Sequence, residues 1–276
     1  MAVVMQAASR DALAAADARL DDYVDKAKPK DLERLGDELF AVMRLVHDEP
    51  TLRRHLADPS VPQTARRALV DSVLKDKVNK QTLDFVAELV SARWSRPVDL
   101  VEALEVLARR ATLGVAEKDG SLDDVEDELF RFGRILAGNP ELRALLADPA
   151  AEPDDRVRLL TELLADKVSP VTLRLLTNTA QTPRGRHLDV ASEELAELAA
   201  LRRDRYVAHV TAPVALTSEQ ENRLVELLTR LYGRPISLQI ELEPELLGGL
   251  VVRVGGELMD GSVLSRLAAA RRRLPS

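Results

Sequence analysis

Cysteine is absent from the 276 residues, which excludes disulfides, thiolate nucleophiles and thiolate metal ligands, and leaves a reducing compartment compatible with the chain. Aromatic residues are scarce, at 3%. Any core must therefore be filled by small and branched aliphatic side chains, a composition that favours packed helices. No apolar run approaches the roughly 18 residues that cross a bilayer. Met1 to Arg10 lacks the apolar stretch of a signal peptide. The chain is thus expected to meet a membrane only through a partner. Basic charge is not in excess either: 39 Lys and Arg stand against 46 Asp and Glu, a net charge of −7. Without a basic footprint there is nothing to release counterions from phosphate, so no nucleic acid is expected as a partner.

Catalytic patterns are lacking as well. The sequence holds no G-x-x-x-x-G-K-[ST], no G-x-G-x-x-G after a strand, no H-E-x-x-H and no G-x-S-x-G. The four histidines, His47, His55, His187 and His209, lie far apart without ligand spacing and read as surface or rim residues. Asp123-Asp124 and Glu193-Glu194 read as solvated carboxylates near helix starts, where they complement the dipole. Gly248-Gly249 and Gly255-Gly256 flank a strand and not a helix start, so they read as a tight turn or bulge. No catalytic, cofactor-binding or metal-binding residue and no cofactor is expected. The chain does not read as an enzyme.

What is present is a repeat. Gly36-Asp37-Glu38-Leu39-Phe40 returns as Glu126-Asp127-Glu128-Leu129-Phe130, and Leu56-Ala57-Asp58-Pro59 as Leu146-Ala147-Asp148-Pro149. Asp76-Lys77-Val78 returns as Asp166-Lys167-Val168, and Thr82-Leu83 as Thr172-Leu173. Every pair is offset by the same 90 positions, and 22 of the 75 residues from 36 to 110 are identical in the second copy. One short match could be chance; four in constant register mean duplication. The period is far from the roughly 33 to 47 residues of ankyrin, tetratricopeptide or HEAT arrays, so two fused bundles fit better than a solenoid.

The repeated material is helical in pattern. Leu32, Leu35, Leu39, Val42 and Val46 fall at spacings of three and four, as do Val125, Leu129, Phe132 and Ile135. Asn139-Pro140-Glu141 and Ser169-Pro170 place a capping side chain before a proline at the first helical position. Asp58-Pro59 and Asp148-Pro149 mark stops. One unit reads as helices over 32–47, 50–57, 62–76, 80–94 and 97–117, with a leading helix at 9–27. The offset maps that leading helix onto 97–117, so the helix closing the first bundle opens the second, and 186–206 closes it. Trp94, the single tryptophan, reads as core at the end of a bundle helix, with a partner groove as the alternative.

After about residue 207 the period changes to two. Ile236, Leu238, Ile240 and Leu242 alternate with polar residues, Leu250, Val252 and Val254 form a second set, and Val207 to Val214 reads as a third strand. Between them, Thr217 or Ser218 can cap a helix with Gln220 or Glu221 completing a capping box. Its apolar face holds Leu224, Leu227, Leu228 and Leu231, and Gly233 ends it. A last helix is expected from Ser262 to Arg273, where Arg271-Arg272-Arg273 reads as dipole compensation or as a contact with an acidic partner helix. The expected fold is mostly α with a small α+β domain: helical bundles over 1–118 and 119–206, then an α+β domain over 207–276.

The stretch Ile236 to Gly255, ISLQIELEPELLGGLVVRVG, resembles the signature of the ATP synthase delta subunit family, which includes the mitochondrial oligomycin-sensitivity-conferring protein. The family pattern asks for aliphatics at Ile236, Leu238, Leu242, Leu246 and Val252, polar residues at Glu243 and Arg253, and small ones at Gly248, Gly249 and Gly255. Asp260-Gly261-Ser262-Val263 and Arg266-Leu267 resemble the family's C-terminal end. The resemblance implies a non-catalytic stator subunit of the proton-translocating ATP synthase at the cytoplasmic face of a bacterial membrane. Its N-terminal bundle would hold the N-terminal segment of an alpha subunit, and its C-terminal domain the C-terminal ends of the b subunits. The extra unit of about 90 residues resembles the enlarged delta regions of actinobacterial enzymes. An unrelated helical adaptor with a duplicated bundle is the alternative; it explains the repeat but not the C-terminal signature.

Overall fold

Proline and a few capping side chains divide the chain into its elements. The computed structural model describes residues 5–148, 150–204, 207–232, 236–244, 246, 248–254 and 257–261. Eleven helices come first: α1 (Ala7–Lys26), α2 (Pro29–Asp48), α3 (Pro50–Ala57), α4 (Gln63–Leu74), α5 (Lys80–Ser91), α6 (Pro97–Asp119), α7 (Leu122–Gly138), α8 (Pro140–Ala147), α9 (Pro153–Leu164), α10 (Pro170–Gln181) and α11 (Leu188–Asp204). Six of them, α2, α3, α6, α8, α9 and α10, start with proline, whose missing N–H is one of the donors a helix start leaves unpaired anyway. The duplication is visible in the bounds. α3 and α8, α4 and α9, and α5 and α10 begin and end at residues that differ by 90.

The chain forms two compact units, Met1–Ala199 and Ala200–Ser276. The first has one continuous apolar core, running from Leu20, Leu32 and Phe40 through Leu104 and Leu113 to Leu129, Leu160 and Leu195. Its spine is α6. Fifteen of its 23 residues are buried, including Leu100, Leu104, Leu107, Ala108 and Ala111. A helix with so much of its length buried must be surrounded, and α6 is touched by α1, α2 and α3 of the first copy and by α7 and α10 of the second. Gly36 shows how close α2 lies: a Cβ there would stand 2.6 Å from Thr112 Oγ1 of α6.

The second unit holds a four-stranded sheet in the order β2-β1-β3-β4, with β1 (Val207–Ala212), β2 (Ser237–Leu242), β3 (Val251–Val254) and β4 (Glu257–Asp260). Helix α12 (Ser218–Tyr232) joins β1 to its parallel neighbour β2, while β3 and β4 run antiparallel. Val210 stands opposite both Ile240 and Val252, and Ala208, Val210, Val252, Val254, Ile236 and Leu228 make the core. The mostly α fold with two fused helical bundles and a small α+β domain is the one the pattern predicts.

Some details differ. The helix expected over 62–76 stops at Leu74, because Lys77 N and Val78 N both turn back to Leu74 O and Asp76 takes a left-handed φ of 64°. The helix expected to 94 ends at Ser91, where Ala92 N closes the last turn and the chain becomes extended. Trp94 therefore sits in a loop. The strand expected to reach 214 ends at Ala212, and β4 follows a stretch, Glu-Leu-Met-Asp, too short to show alternation. The helix expected over 262–273, Gly233, Gly255-Gly256 and Arg271-Arg272-Arg273 lie outside the described residues.

Candidate functional site

Each bundle is closed by a carboxylate that the repeat carries along. Glu38 on α2 accepts from Asn79 N at 2.8 Å and from Thr82 Oγ1 at 2.6 Å, at the start of α5. Glu128 on α7 accepts from Ser169 N at 3.0 Å, at the start of α10. Asn79 and Ser169 cap those helices by accepting from Thr82 N and Thr172 N. Burial pushes the Glu38 carboxyl up, but the bonds from Thr82, Arg34 and the Asn79 amide together hold it below its ordinary value. Two buried arginines tie the next helix down. Arg66 donates to Ala92 O at 3.0 Å, and its repeat Arg156 donates to Ala180 O and Asp148 O. Asn139 departs from expectation: its side chain donates back to Ile135 O of α7, and no side chain caps α8. An acceptor one turn behind it wins over the open amides ahead.

The two copies are joined by polar contacts over an apolar seam. Arg44 of α2 donates to Asn178 Oδ1 of α10 at 2.9 Å, and Arg174 of α10 pairs with Asp37 of α2 at 3.5 Å. Burial raises the Asp37 carboxyl despite Arg174, and lowers Arg44 despite Asp37 and Asp48. Deeper in, Glu105 of α6, 2% exposed, is gripped by Arg109 of its own helix at 2.6 Å and by Arg184 and Arg186 from the loop before α11. Arg184 also binds Glu102, and Glu194 of α11 stands 3.5 Å from Arg186 and 3.8 Å from Arg109. Three carboxylates thus meet three guanidinium groups. Burial works to raise the Glu105 carboxyl, but Arg109, Arg186 and Arg184 together hold it below its ordinary value. The loop reaches α6 through consecutive left-handed residues, Arg184 at φ 54° and Gly185 at 75°. Glu194, expected to be solvated, instead belongs to this cluster. Nothing in the pairwise spacing of Glu193-Glu194 foretold it. The signal was Glu102, Glu105 and Arg109, at i, i+3 and i+7 inside a largely buried helix.

In the first copy the matching loop uses different chemistry. Trp94, at the position of Arg184, is 3% exposed and donates its indole N–H to Leu89 O at 2.8 Å. It is a core residue with its polar handle satisfied. In the same copy α1 and α5 meet along a seam where Tyr23 stacks edge-on to Phe85 with centroids 5.8 Å apart, and Arg19 lies over the Phe85 ring and pairs with Glu88.

Nothing among the described residues converges as an active site would. His55 and His187 are exposed, and His47 and His209 are half-buried. His55 bonds Thr51 O. An open cleft between the copies is lined by Arg44, His47, Asp48, Glu152, Asp154 and Arg184. Its two arginines are already engaged, by Asn178 and by Glu102 and Glu105. Among the described residues no His, Asp and Glu group is placed to hold a metal, and no helix is long and apolar enough to cross a membrane.

In the second unit Thr217 and Gln220 form the expected capping box: Gln220 N donates to Thr217 Oγ1 at 3.3 Å and Thr217 N to Gln220 Oε1 at 2.9 Å. Gly248 and Gly249 take φ values of 128° and 85°, so the glycine pair turns the chain into β3 with a backbone other residues rarely adopt. The family model described as the ATP synthase delta (OSCP) subunit matches residues 23–112 and again residues 108–274. The chain belongs to the ATP synthase delta (OSCP) subunit family. The first match lies on the first bundle; the second runs unbroken through the second bundle and the sheet. Relatives named ATP synthase subunit delta share this enlarged length. That of Streptomyces coelicolor is 47% identical over 272 residues, spanning 99% of both chains. Those of Thermobifida fusca and Acidothermus cellulolyticus are 46% and 43% identical, over 98% and 99% of this chain and 99% and 100% of theirs. Among solved structures, a chain of the Toxoplasma gondii mitochondrial ATP synthase hexamer matches with 21% identity and a TM-score of 0.35, covering 61% of this delta-family chain and 96% of that one.

Proposed function

We propose that the chain is the peripheral-stalk subunit of a proton-translocating ATP synthase, a non-catalytic brace between the catalytic head and the membrane-anchored b subunits. Family membership over the whole chain carries this reading. The physical task is to resist torque. Without a brace the turning shaft would drag the head around, and no work would be coupled to proton flow. A set of packed helices with one uninterrupted core and a buried ionic cluster on the helix its two copies share suits that load. The N-terminal part holds the N-terminal segment of an alpha subunit in a groove between helices, and the C-terminal sheet domain grips the C-terminal ends of the b subunits. The membrane is reached only through these partners, at its cytoplasmic face. A specific contact at each end needs about 800 Å² per partner.

Mixing tests the proposal. Purified chain should bind catalytic heads one to one, and clipping the N-terminal segment of alpha should abolish binding. No co-migration on gel filtration at micromolar concentrations would overturn it.

A further inference from the structure

One stripe of α2 in the first copy reaches α10 of the second, and the duplication has written that stripe a second time. Glu33, Asp37, Phe40 and Arg44 follow at i, i+4, i+7 and i+11, so they line one side of the helix. Arg174 of α10 meets this side at Asp37 and reaches Glu33 at 4.0 Å, and Arg44 binds Asn178 one turn further along α10. Phe40, between the two polar contacts, is 1% exposed.

Ninety residues on, α7 carries Asp123, Asp127, Phe130 and Arg134, three of the four identical. Here Phe130 is 53% exposed. Among the described residues Asp127 pairs with Arg131 of its own helix, on the solvent side, and Arg134 is exposed. The chain's other version of α10 is α5, which has Asp84 and Glu88 where α10 has Arg174 and Asn178. An acidic helix is repelled by Asp127, so a second copy of this chain does not fit through α5.

We propose that α7 is a docking face for an amphipathic helix of another protein chain. That helix presents a basic residue to Asp127, a side-chain oxygen acceptor to Arg134 one turn later, and aliphatic side chains over Phe130. The contact of α2 with α10 is its template inside the same molecule. The proposal stands apart from the stator reading, because it concerns α7 and a helix of stated chemistry whatever complex supplies it.

The test uses the full chain and a labelled, helix-stapled peptide copying residues 168–182. Fluorescence anisotropy should show saturable binding that weakens about tenfold or more in Phe130→Ser and in Asp127→Arg. Binding to Asp127→Arg should return when the peptide carries Arg174→Asp. No binding at millimolar peptide, or equal binding to Phe130→Ser, would overturn the proposal. So would a clear fall in the melting temperature of Phe130→Ser alone, since Phe130 would then be serving the fold. No ATP synthase component enters this experiment, so its outcome is separate from that of the head-binding assay.

Discussion

Replacing Glu105 by Gln keeps the side-chain shape and removes one charge from the cluster on α6. Arg109, Arg184 and Arg186 would then share only Glu102 and Glu194. Deleting one partner of a buried ion pair costs about 3–5 kcal/mol, because the charge left behind stays desolvated. Glu102 and Arg186 retain some contact with water, which softens the loss. The expected effect is therefore at the lower end, about 3 kcal/mol. Trp94 reports it conveniently, being the single tryptophan and buried beside α6. Urea melts followed by its fluorescence at neutral pH should show Glu105→Gln unfolding at clearly lower denaturant. The pH dependence supplies a second check. The folded carboxyl sits below its ordinary value, so the native state resists protonation more than the unfolded chain does. Its stabilisation is complete above about pH 4.5, the ordinary glutamate value, and is lost as the pH falls through the lowered one. Wild type and Glu105→Gln should thus converge in strong acid. A loss under about 1 kcal/mol at neutral pH, or a gap that widens in acid, would refute the reasoning.

Two further substitutions probe the packing. Gly36→Ala should gain about 1 kcal/mol from helix propensity alone, yet its Cβ would press on Thr112 Oγ1 at 2.6 Å, an overpacking worth about 1–3 kcal/mol. Net destabilisation is expected, and adding Thr112→Ala should relieve it; a thermal-melt cycle without coupling would count against the close approach of α2 and α6. Thr217→Ala should cost α12 about 1 kcal/mol by removing half of the capping box, seen as faster hydrogen exchange of its first-turn amides.

Much of this architecture is legible in residue order because its determinants are local. Pro50, Pro140 and Pro170 set helix starts by what proline cannot donate, and the alternation around Val252 requires a two-faced strand. The constant offset revealed that a helix would serve both bundles. The contacts that join the copies were not legible, because they pair residues distant in sequence: Arg44 meets Asn178, and Glu105 meets Arg184. Asn139 shows the limit even locally. Its cap signature is sound, but the carbonyl of Ile135 lies within reach and competes. Phe130 teaches a similar lesson: it repeats Phe40 together with the rest of the motif, yet it is 53% exposed where Phe40 is 1% exposed.

The sharing of α6 has a further consequence. Each bundle borrows five helices' worth of new sequence and one from its neighbour, so the copies cannot be severed without leaving one of them an open-sided bundle. Twisting one copy against the other has no loop to swivel on; it must shear the backbone ladder of a continuous helix sheathed on nearly every side. A bundle added this way adds a second packed unit without adding a joint between the copies.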